Sequence, residues 1–457
     1  MSTFIAKWSI TQRLSFSFLI VILIGSLLLA QPFMHYAHAP DTTYFDHLFN
    51  VVSMVCVTGL SVFAVGDVYN GFGQLVVMLL IQIGGLGLVT LIAISSLALR
   101  RKMNLTDQSL LQSALSRENP QDLKEFLYLV YRFTFMVEGI LALVLMIDFI
   151  PRFGLGNGMF NAIFLAISAF CNAGFDNLGS SSLQQYTTNP IINLTLAGLI
   201  ATGGLGFGVW QDILRCIKNY LTQQPKQLKN MFTPLSNQSQ LVLRTTAIIL
   251  VAGTVLSWLF EANNSKTIGN LSLGQQLMTS FFQTVSMRTA GFSTIDYSHT
   301  TPATNFLYMI QMIIGGAPGG TAGGIKVTVI AIIALLFRAE LSGQTEVTFR
   351  HRTIDNRMIK QAFTIIIFFF TLMMAGFLLL LLVESGTNPF RLLFEVSSAI
   401  ATVGVSMNLT PDLSTTGRII IMMLMFIGRV GPITVLLSLL QKKKQTIHYA
   451  KSTITVG

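Results

Sequence analysis

Four copies of a short segment that ends in glycine recur along this chain at nearly constant spacing, and this repeat restricts the possible folds most. The segments end at Gly59, Gly174, Gly291 and Gly404, which are 115, 117 and 113 residues apart. Each has a phenylalanine ten residues before its glycine and an apolar residue directly after it. A fixed period across a chain is typical of a repeat architecture. We therefore expect four related structural units.

Long apolar stretches separate these segments and indicate a membrane protein. Charged residues make up only 11% of the 457 residues, whereas a soluble domain has about 25%. Eight stretches approach the roughly 20 mostly apolar residues that crossing the hydrocarbon requires. They cover 14–34, 71–99, 127–150, 189–211, 240–260, 304–337, 357–383 and 418–441. We predict an all-α membrane protein with eight transmembrane helices, two for each unit.

The positions of the charges predict the orientation. The net charge is +10, and basic clusters lie at the start, after the second, fourth and sixth stretches, and at the end. Cytoplasmic loops are enriched in Lys and Arg, so we expect both termini in the cytoplasm. Because the clusters border apolar stretches, we expect contact with a lipid bilayer and no nucleic acid. The three cysteines are too few for a disulfide framework, so we expect buried free thiols.

The chemistry of the repeated segment favours a cation filter. Neutral backbone carbonyls replace an ion's hydration shell without trapping the ion. Glycine adopts the unusual φ/ψ values that aim successive carbonyls at one axis. The apolar residues before each glycine would form a half-spanning helix with its negative C-terminal end toward the cation. The predicted filter residues are Val57, Thr58, Gly59, Leu60, Asn172, Ala173, Gly174, Phe175, Thr289, Ala290, Gly291, Phe292, Thr402, Val403, Gly404 and Val405.

Acidic residues and a second glycine motif accompany each filter segment. The acidic residues of the predicted outer connections would raise the local cation concentration, and they are Asp41, Asp46, Asp67, Asp176, Asp296, Glu384, Glu395 and Asp412. The second glycine motif begins 24 to 29 residues after each filter glycine. The third copy is the longest, because residues 315–324 hold six glycines and one proline. No stable helix runs through such a stretch, so we predict a broken helix with a flexible loop below the filter.

Three basic residues fall within the predicted membrane region. Lys326 and Arg429 would lie near the bilayer centre, where charges are costly and usually functional. Arg288 lies three residues before the third filter glycine. A free cation there would repel the transported ions, so we predict that an acid such as Glu395 or Glu138 neutralises Arg288.

These motifs together resemble the Trk/Ktr/HKT superfamily of cation transporters, in particular the membrane subunit of bacterial Ktr-type potassium systems. Thr402-Val403-Gly404 resembles the core of a potassium-channel filter, and residues 315–326 and 428–432 also match the family pattern. The resemblance covers nearly the whole chain. In this family a serine at the first filter position accompanies sodium transport. Because Gly59 occupies that position here, the resemblance implies potassium as the transported ion.

The resemblance also implies a gate and partners. It assigns the gate to the intramembrane loop of the third unit and places Arg429 beside that loop. The implied gating residues are Gly315, Gly316, Gly319, Gly320, Thr321, Gly323, Gly324, Lys326 and Arg429. It further implies a homodimer in a bacterial cytoplasmic membrane, seated on a cytosolic RCK-type ring of nucleotide-binding regulatory subunits. The sequence itself offers a basic docking surface at 102–126, 217–235 and 339–360.

Two other functions compete with a gated pore. An alternating-access symporter of potassium and sodium would commonly show paired, often inverted, repeats, whereas these four units share one orientation. A membrane enzyme has little support, because the six histidines are scattered. The predicted units cover 1–102, 103–226, 227–345 and 346–457, with the gating loop in the third. The sequence leaves open whether sodium activates transport.

Overall fold

The computed structural model of the chain describes residues 10–87, 122–222 and 235–431, and these are mainly helical. The helices are α1 (Ile10–Leu29), α2 (Tyr44–Val55), α3 (Val65–Val68), α4 (Gly71–Leu86), α5 (Asp122–Phe153), α6 (Leu155–Phe170), α7 (Pro190–Gly204), α8 (Phe207–Thr222), α9 (Asn237–Glu261), α10 (Leu273–Met287), α11 (Pro302–Ile313), α12 (Val327–Leu341), α13 (Asn356–Val383), α14 (Pro389–Ile400) and α15 (Thr415–Val430). Three single 3-10 turns cover Pro32–Met34, Gln184–Tyr186 and Thr410–Asp412. A small antiparallel hairpin joins β1 (Thr348–Phe349) to β2 (Arg352–Thr353).

Four helices stop just before the repeated glycines, and we call them the half-helices: α2, α6, α10 and α14. They end at Val55, Phe170, Met287 and Ile400, each four residues before a repeated glycine. Polar residues begin several of them. Thr43 forms a capping box with Asp46 at the start of α2, for example, and such boxes satisfy backbone amides that the first turn leaves free.

Three helices among the described residues are long and apolar enough to cross a membrane, judged by length and composition. They cover Phe126–Phe153, Asn237–Glu261 and Asn356–Val383. A fourth crossing is possible if Pro190–Gly204 and Phe207–Leu221, which meet at a bend of 99°, count as one span. The shorter helices Ser15–Leu29, Gly71–Leu86 and Leu155–Phe170 are also apolar.

The structure differs from the predicted membrane segments at one helix. The stretch 189–211, predicted as one membrane-spanning helix, breaks between Gly204 and Phe207. Gly206 lies at the break with φ of 84°, a conformation that favours glycine. The stretch 304–337 also breaks, between Ile313 and Val327, as its glycine content predicts. The remaining parts of 71–99 and 418–441, and most of the docking segments 102–126 and 217–235, lie outside the described residues.

The packing of the second helices on the half-helices closes a cycle. We call α4, α7, α11 and α15 the second helices, since each follows a repeated glycine. The helix α4 packs against α6, α7 against α10, α11 against α14, and α15 returns to α2. Each second helix therefore contacts the half-helix of the next repeat. The three cysteines are free and buried, as predicted.

Candidate functional site

The four segments that follow the half-helices share one backbone conformation. We call residues 57–60, 172–175, 289–292 and 402–405 the glycine segments. Their first residues, Val57, Asn172, Thr289 and Thr402, have φ angles of 54°, 58°, 67° and 51°. The glycines have φ angles of 105°, 71°, 83° and 96°. Positive φ is exceptional for β-branched residues such as valine and threonine, and such strain of about 1–3 kcal/mol per residue is typical of functional sites.

The four glycine segments contact one another in a ring. A Cβ atom added at Gly59 would lie 2.8 Å from Ala173 O, and a Cβ atom added at Gly174 would lie 2.8 Å from Ala290 O. A Cβ atom added at Gly291 would lie 2.5 Å from Val403 O, and a Cβ atom added at Gly404 would lie 2.0 Å from Thr58 O. The carbonyl before each glycine therefore faces the glycine of the preceding segment, and the first segment faces the fourth. No side chain fits at any of the four positions without displacing a neighbouring backbone.

Serines near the ends of the half-helices hold the glycine segments. Ser53 Oγ accepts a hydrogen bond from Gly59 N at 3.0 Å, and Ser398 Oγ accepts one from Gly404 N at 3.0 Å. In the second segment, Ser168 Oγ accepts a bond from the amide of Phe175. In the third, Ser286 Oγ donates to the carbonyl of Phe292. These serines are not among the residues predicted from the sequence, although three of them stand six residues before the glycine.

If the glycine segments form the potassium filter that the resemblance implies, Ser398→Ala is expected to lower the potassium-over-sodium selectivity of ion uptake. The change removes a bond worth about 1 kcal/mol, which would loosen the fourth glycine segment. Rubidium and sodium uptake measured side by side would report the change. Ser280→Ala is the matched control, because the Ser280 hydroxyl is also buried on a half-helix and has no hydrogen-bond partner among the described residues. Equal behaviour of the two variants would contradict the anchoring role.

Two hydroxyl groups in the ring are buried without a hydrogen-bond partner among the described residues. They are Thr58 Oγ1 and Thr402 Oγ1, in the first and fourth glycine segments. A buried polar group left unsatisfied costs about 1–3 kcal/mol, so each such group needs an explanation, for example an ion. An oxygen atom without another partner is chemically suited to bind a dehydrated cation.

One face of the ring opens into a cavity of about 450 Å³ that is lined by all four glycines. Asp67, Asp176 and Asp296 also line this cavity. Burial, and secondly the Asp67 carboxylate, raise the pKa of Asp176 to about 6, against the opposing effect of bonds from Ser182 and Leu178. Carboxylates at the mouth of a cleft raise the local concentration of cations.

The glycine loop, residues 315–324, leaves the third unit through a narrow neck. Its two sides run parallel and are joined at Ile314 and Ile325. Gly315 N donates to Ile325 O at 2.9 Å, and Ile325 N donates to Ile313 O at 3.0 Å. The helices α11 and α12 thus stop at the neck, and the residues between them form a closed loop.

The glycine loop packs into the bend of the second unit. Ala317 N donates to Gly204 O at 2.8 Å, at the end of α7. Thr321 Oγ1 donates to Phe170 O at 3.0 Å, at the end of the half-helix α6. The loop also approaches the glycine segments, because Gly323 N donates to Thr289 Oγ1 at 3.1 Å. Carbonyls that the bend frees in α7 are therefore satisfied by the loop.

The second glycine motif has a packing role in three units. A Cβ atom at Gly84 would lie 2.3 Å from Val55 O, and one at Gly428 would lie 2.1 Å from Ile400 O. The same holds for Gly203, at 2.0 Å from Phe170 O. These glycines let each second helix approach the last carbonyl of its own half-helix.

Arg429 and Lys326 donate hydrogen bonds to backbone carbonyls around the glycine loop. Arg429 Nη1 donates to Thr321 O at 2.5 Å, while its Nη2 donates to Gly85 O at 3.0 Å and to Gly84 O. Lys326 Nζ donates to the carbonyl of Ala322 at 2.6 Å. Arg429 therefore ties the loop to the second helix of the first unit.

The predicted neutralisation of Arg288 by an acid is wrong. Arg288 Nη2 instead donates to Gly315 O at 3.3 Å, at the start of the glycine loop. Glu395 accepts hydrogen bonds from Ser406 and Thr410, and Glu138 accepts one from Gln82 at 3.2 Å. Neutral donors satisfy both acids, so neither forms a salt bridge with Arg288.

The structure therefore brings the predicted residues together in two groups. The sixteen filter candidates form the ring of glycine segments, and the gating candidates lie in or against the glycine loop on the side of the half-helix C-termini. A Cβ atom at Gly319 would meet nothing within 4 Å, whereas the Gly319 carbonyl accepts a hydrogen bond from Phe207 N at 3.1 Å. The third docking segment, 339–360, carries the exposed β-hairpin.

Comparisons with known proteins agree on a single family. A family model described as "TrkH: Cation transport protein" matches residues 4–447. "Potassium/sodium uptake protein NtpJ" of Enterococcus hirae is 35% identical, over 99% of this chain and 98% of its own length. "Ktr system potassium uptake protein B" of Bacillus subtilis is 33% identical, over 98% of this chain and 96% of its own. The crystal structure of the potassium transporter TrkH from Vibrio parahaemolyticus shares the fold, with a TM-score of 0.72 at 18% identity, over 93% of this chain and 84% of its own.

Proposed function

The chain belongs to the TrkH family of cation transport proteins, and from this premise we propose that it takes up potassium through the ring of glycine segments. Family membership confirms the resemblance inferred from the sequence. It also confirms that the protein is a membrane transporter and not an enzyme. The pore, the filter, the gate and the regulation are our proposals for this chain.

The proposed architecture is a pseudo-fourfold arrangement of four units with two spans each, around one pore. The units would be those predicted, 1–102, 103–226, 227–345 and 346–457. The cycle of second helices on half-helices supports this arrangement, because every unit contacts the next and the fourth contacts the first. The short apolar helices would complete the eight spans, together with parts of the chain outside the described residues.

The observation that carries the proposed filter is the ring of carbonyls facing the four glycines. Carbonyl oxygens replace water around a cation. The unpartnered hydroxyls of Thr58 and Thr402 offer further oxygens. The half-helices end four residues before the glycines, so the negative ends of their dipoles would stabilise an ion there. The acidic cavity would be the outer mouth.

Potassium is the proposed ion because it appears in the names of relatives that align with nearly the whole chain. Ktr system potassium uptake proteins of Bacillus subtilis and Vibrio alginolyticus are both 33% identical to this chain. The relative from Enterococcus hirae is called a potassium/sodium uptake protein, so sodium remains the ion to test against. Gly59 at the first filter position favours potassium, as the family pattern implies.

The glycine loop is the proposed gate, and Arg429 and Lys326 are its proposed controlling residues. The loop would block the pore below the filter, held by the bond from Arg429 to Thr321 O. The Ktr relatives support a partner, since each is named as protein B of a system. We propose a homodimer on an RCK-type nucleotide-binding ring, in a bacterial cytoplasmic membrane with both termini cytoplasmic.

Uptake of rubidium or potassium tests this function directly. The chain would be expressed in a bacterium that lacks its own potassium uptake, with and without the proposed regulatory partner. We expect growth at low potassium and rubidium uptake that sodium competes for poorly. An alternating-access symporter is the alternative, and it would show slow, saturating flux coupled to a second ion. Repeating the assay with and without sodium also decides whether sodium activates transport.

Uptake is expected to fall as the external pH drops through about 6, the pKa of Asp176. Below that pH the carboxyl is protonated, so the outer mouth loses a negative charge and attracts fewer cations. Rubidium uptake at low ionic strength, measured between pH 7.5 and pH 5, would show this step. Asp176→Asn should remove the step, whereas Asp41→Asn, an exposed acid that does not line the cavity, should retain it. A step that survives in Asp176→Asn would contradict the assignment.

A further inference from the structure

A second cavity, which we call the crevice, opens on the side of the protein between the third and fourth units. It has a volume of about 340 Å³ and lies between α11, α12, α13 and α14. Ile310 and Phe370 stand at its edge and are 45% and 40% exposed. Ile366 contributes to the wall on α13. The size lies within the range of about 300–1,000 Å³ that is typical of ligand pockets.

The crevice lies near the middle of a helix that is long and apolar enough to cross a membrane. Ile366 and Phe370 are near the middle of α13 (Asn356–Val383), one of the helices long enough to span a membrane. A surface at that depth faces hydrocarbon and not water. The medium that reaches the crevice is therefore the acyl chains of the bilayer.

The lining offers water nothing to bind. Ser397 is the only polar side chain among the residues of the crevice, and its hydroxyl donates to Leu393 O at 2.8 Å. A buried water needs two to four polar partners. An apolar occupant has no hydrogen bonds with water to lose when it fills the crevice. If the crevice were empty, the atoms of its wall would lose van der Waals contacts.

The inner end of the crevice reaches the neck of the glycine loop. Ile314 and Ile325, the two residues paired across the neck, both line it. Leu393 and Ser397 of the half-helix α14 line the same space. An occupant therefore contacts both the neck of the loop and the helix that leads to the fourth glycine segment.

We propose that the crevice binds one acyl chain of a bilayer phospholipid, which lies against the neck of the glycine loop. The site selects for a flexible hydrocarbon chain, and the headgroup would remain at the membrane surface. A second copy of this protein is the other possible occupant of an apolar membrane surface. The crevice is concave and lies between helices of one chain, which suits a narrow chain better than a helix.

The test uses the full chain in lipid nanodiscs of phosphatidylethanolamine and phosphatidylglycerol, with a phosphatidylglycerol analogue that carries a diazirine in its acyl chain. After photolysis, mass spectrometry locates the labelled residues. We expect labelling at Ile310 and Ile366 that saturates as the fraction of analogue rises. Labelling at Leu378 and Leu382, which are 56% and 80% exposed on α13, should rise in proportion. A proportional rise at all four positions would overturn the proposal.

A matched pair of variants provides the second test. Ile366→Trp would fill the crevice with an indole ring, whereas Ile367→Trp places the same ring on the exposed face, where Ile367 is 63% exposed. We expect crevice labelling to be lost only in Ile366→Trp, with labelling at Leu378 and Leu382 unchanged in both. Crevice labelling that persists in Ile366→Trp, or a disulfide between two chains through Ile310→Cys, would show that the occupant is not a lipid chain.

Discussion

Gly404→Ala is expected to abolish most potassium uptake, and Gly404→Asp all of it. The added Cβ would lie 2.0 Å from Thr58 O and 2.7 Å from Gly59 Cα, so the first and fourth glycine segments must separate. A carbonyl displaced by even 1 Å no longer coordinates the ion. A loss of only about 1.4 kcal/mol in binding already lowers the affinity for the ion tenfold, so at subsaturating rubidium we expect at least a tenfold lower rate of uptake.

Gly386→Ala separates this effect from backbone strain. Gly386 also has a positive φ, 112°, but a Cβ atom there would meet nothing within 4 Å. Both substitutions carry the cost of a left-handed alanine, about 1–2 kcal/mol, and only Gly404→Ala adds the collision. Uptake should therefore survive in Gly386→Ala. Membrane abundance of each variant, measured by immunoblot, provides the control for folding. Equal losses in the two variants at equal abundance would contradict the filter assignment.

Shortening the glycine loop by deleting residues 317–322 is expected to raise ion flux. The deletion removes Thr321, together with its bonds to Arg429 and Phe170. It leaves the neck intact, because Gly315 and Gly323 already lie in contact on its two sides. One bond to a charged donor is worth about 1.5–3 kcal/mol. If the loop blocks the pore, we expect roughly a tenfold or larger rise in rubidium uptake without the regulatory partner.

Substitutions of Arg429 distinguish a latch from an electrostatic barrier. Arg429→Ala removes both the charge and the hydrogen bonds, whereas Arg429→Lys keeps the charge but loses the fork that reaches Thr321 and Gly85 together. A latch predicts raised flux in both variants. An electrostatic barrier predicts raised flux in Arg429→Ala alone. Unchanged flux in the deletion and in Arg429→Ala would rule out the loop as the gate.

The sequence was most informative where the backbone conformation admits only glycine. The repeated glycines were identifiable because each combines a positive φ with a neighbouring carbonyl in the space of a side chain. The break at 315–324 was predicted for a similar reason, since six glycines cannot sustain a helix. Both features depend on the residue types at the positions themselves, so a single sequence is enough to predict them.

Features that depend on distant partners were not predictable. The 99° bend after α7 involves Gly203 and Gly204, whose motif looks like that of Gly84 and Gly85. The glycine loop of another unit donates hydrogen bonds to the carbonyls of Gly203 and Gly204, and this contact distinguishes the second motif from the first. The contact between Arg288 and Gly315 likewise joins residues 27 positions apart, and charge alone suggested an acid instead. The anchoring serines were overlooked because a single serine in an apolar helix is not distinctive.

The contact between each glycine and the carbonyl of the adjoining segment has a consequence for how such a chain can evolve. Room for a side chain at Gly404 must come from Thr58, in another repeat, and room at Gly59 must come from Ala173. Substitutions that compensate for one another therefore lie about one repeat apart, or at opposite ends of the sequence, and not within one unit. A change accepted in one of the four copies would therefore alter which changes the adjoining copy tolerates.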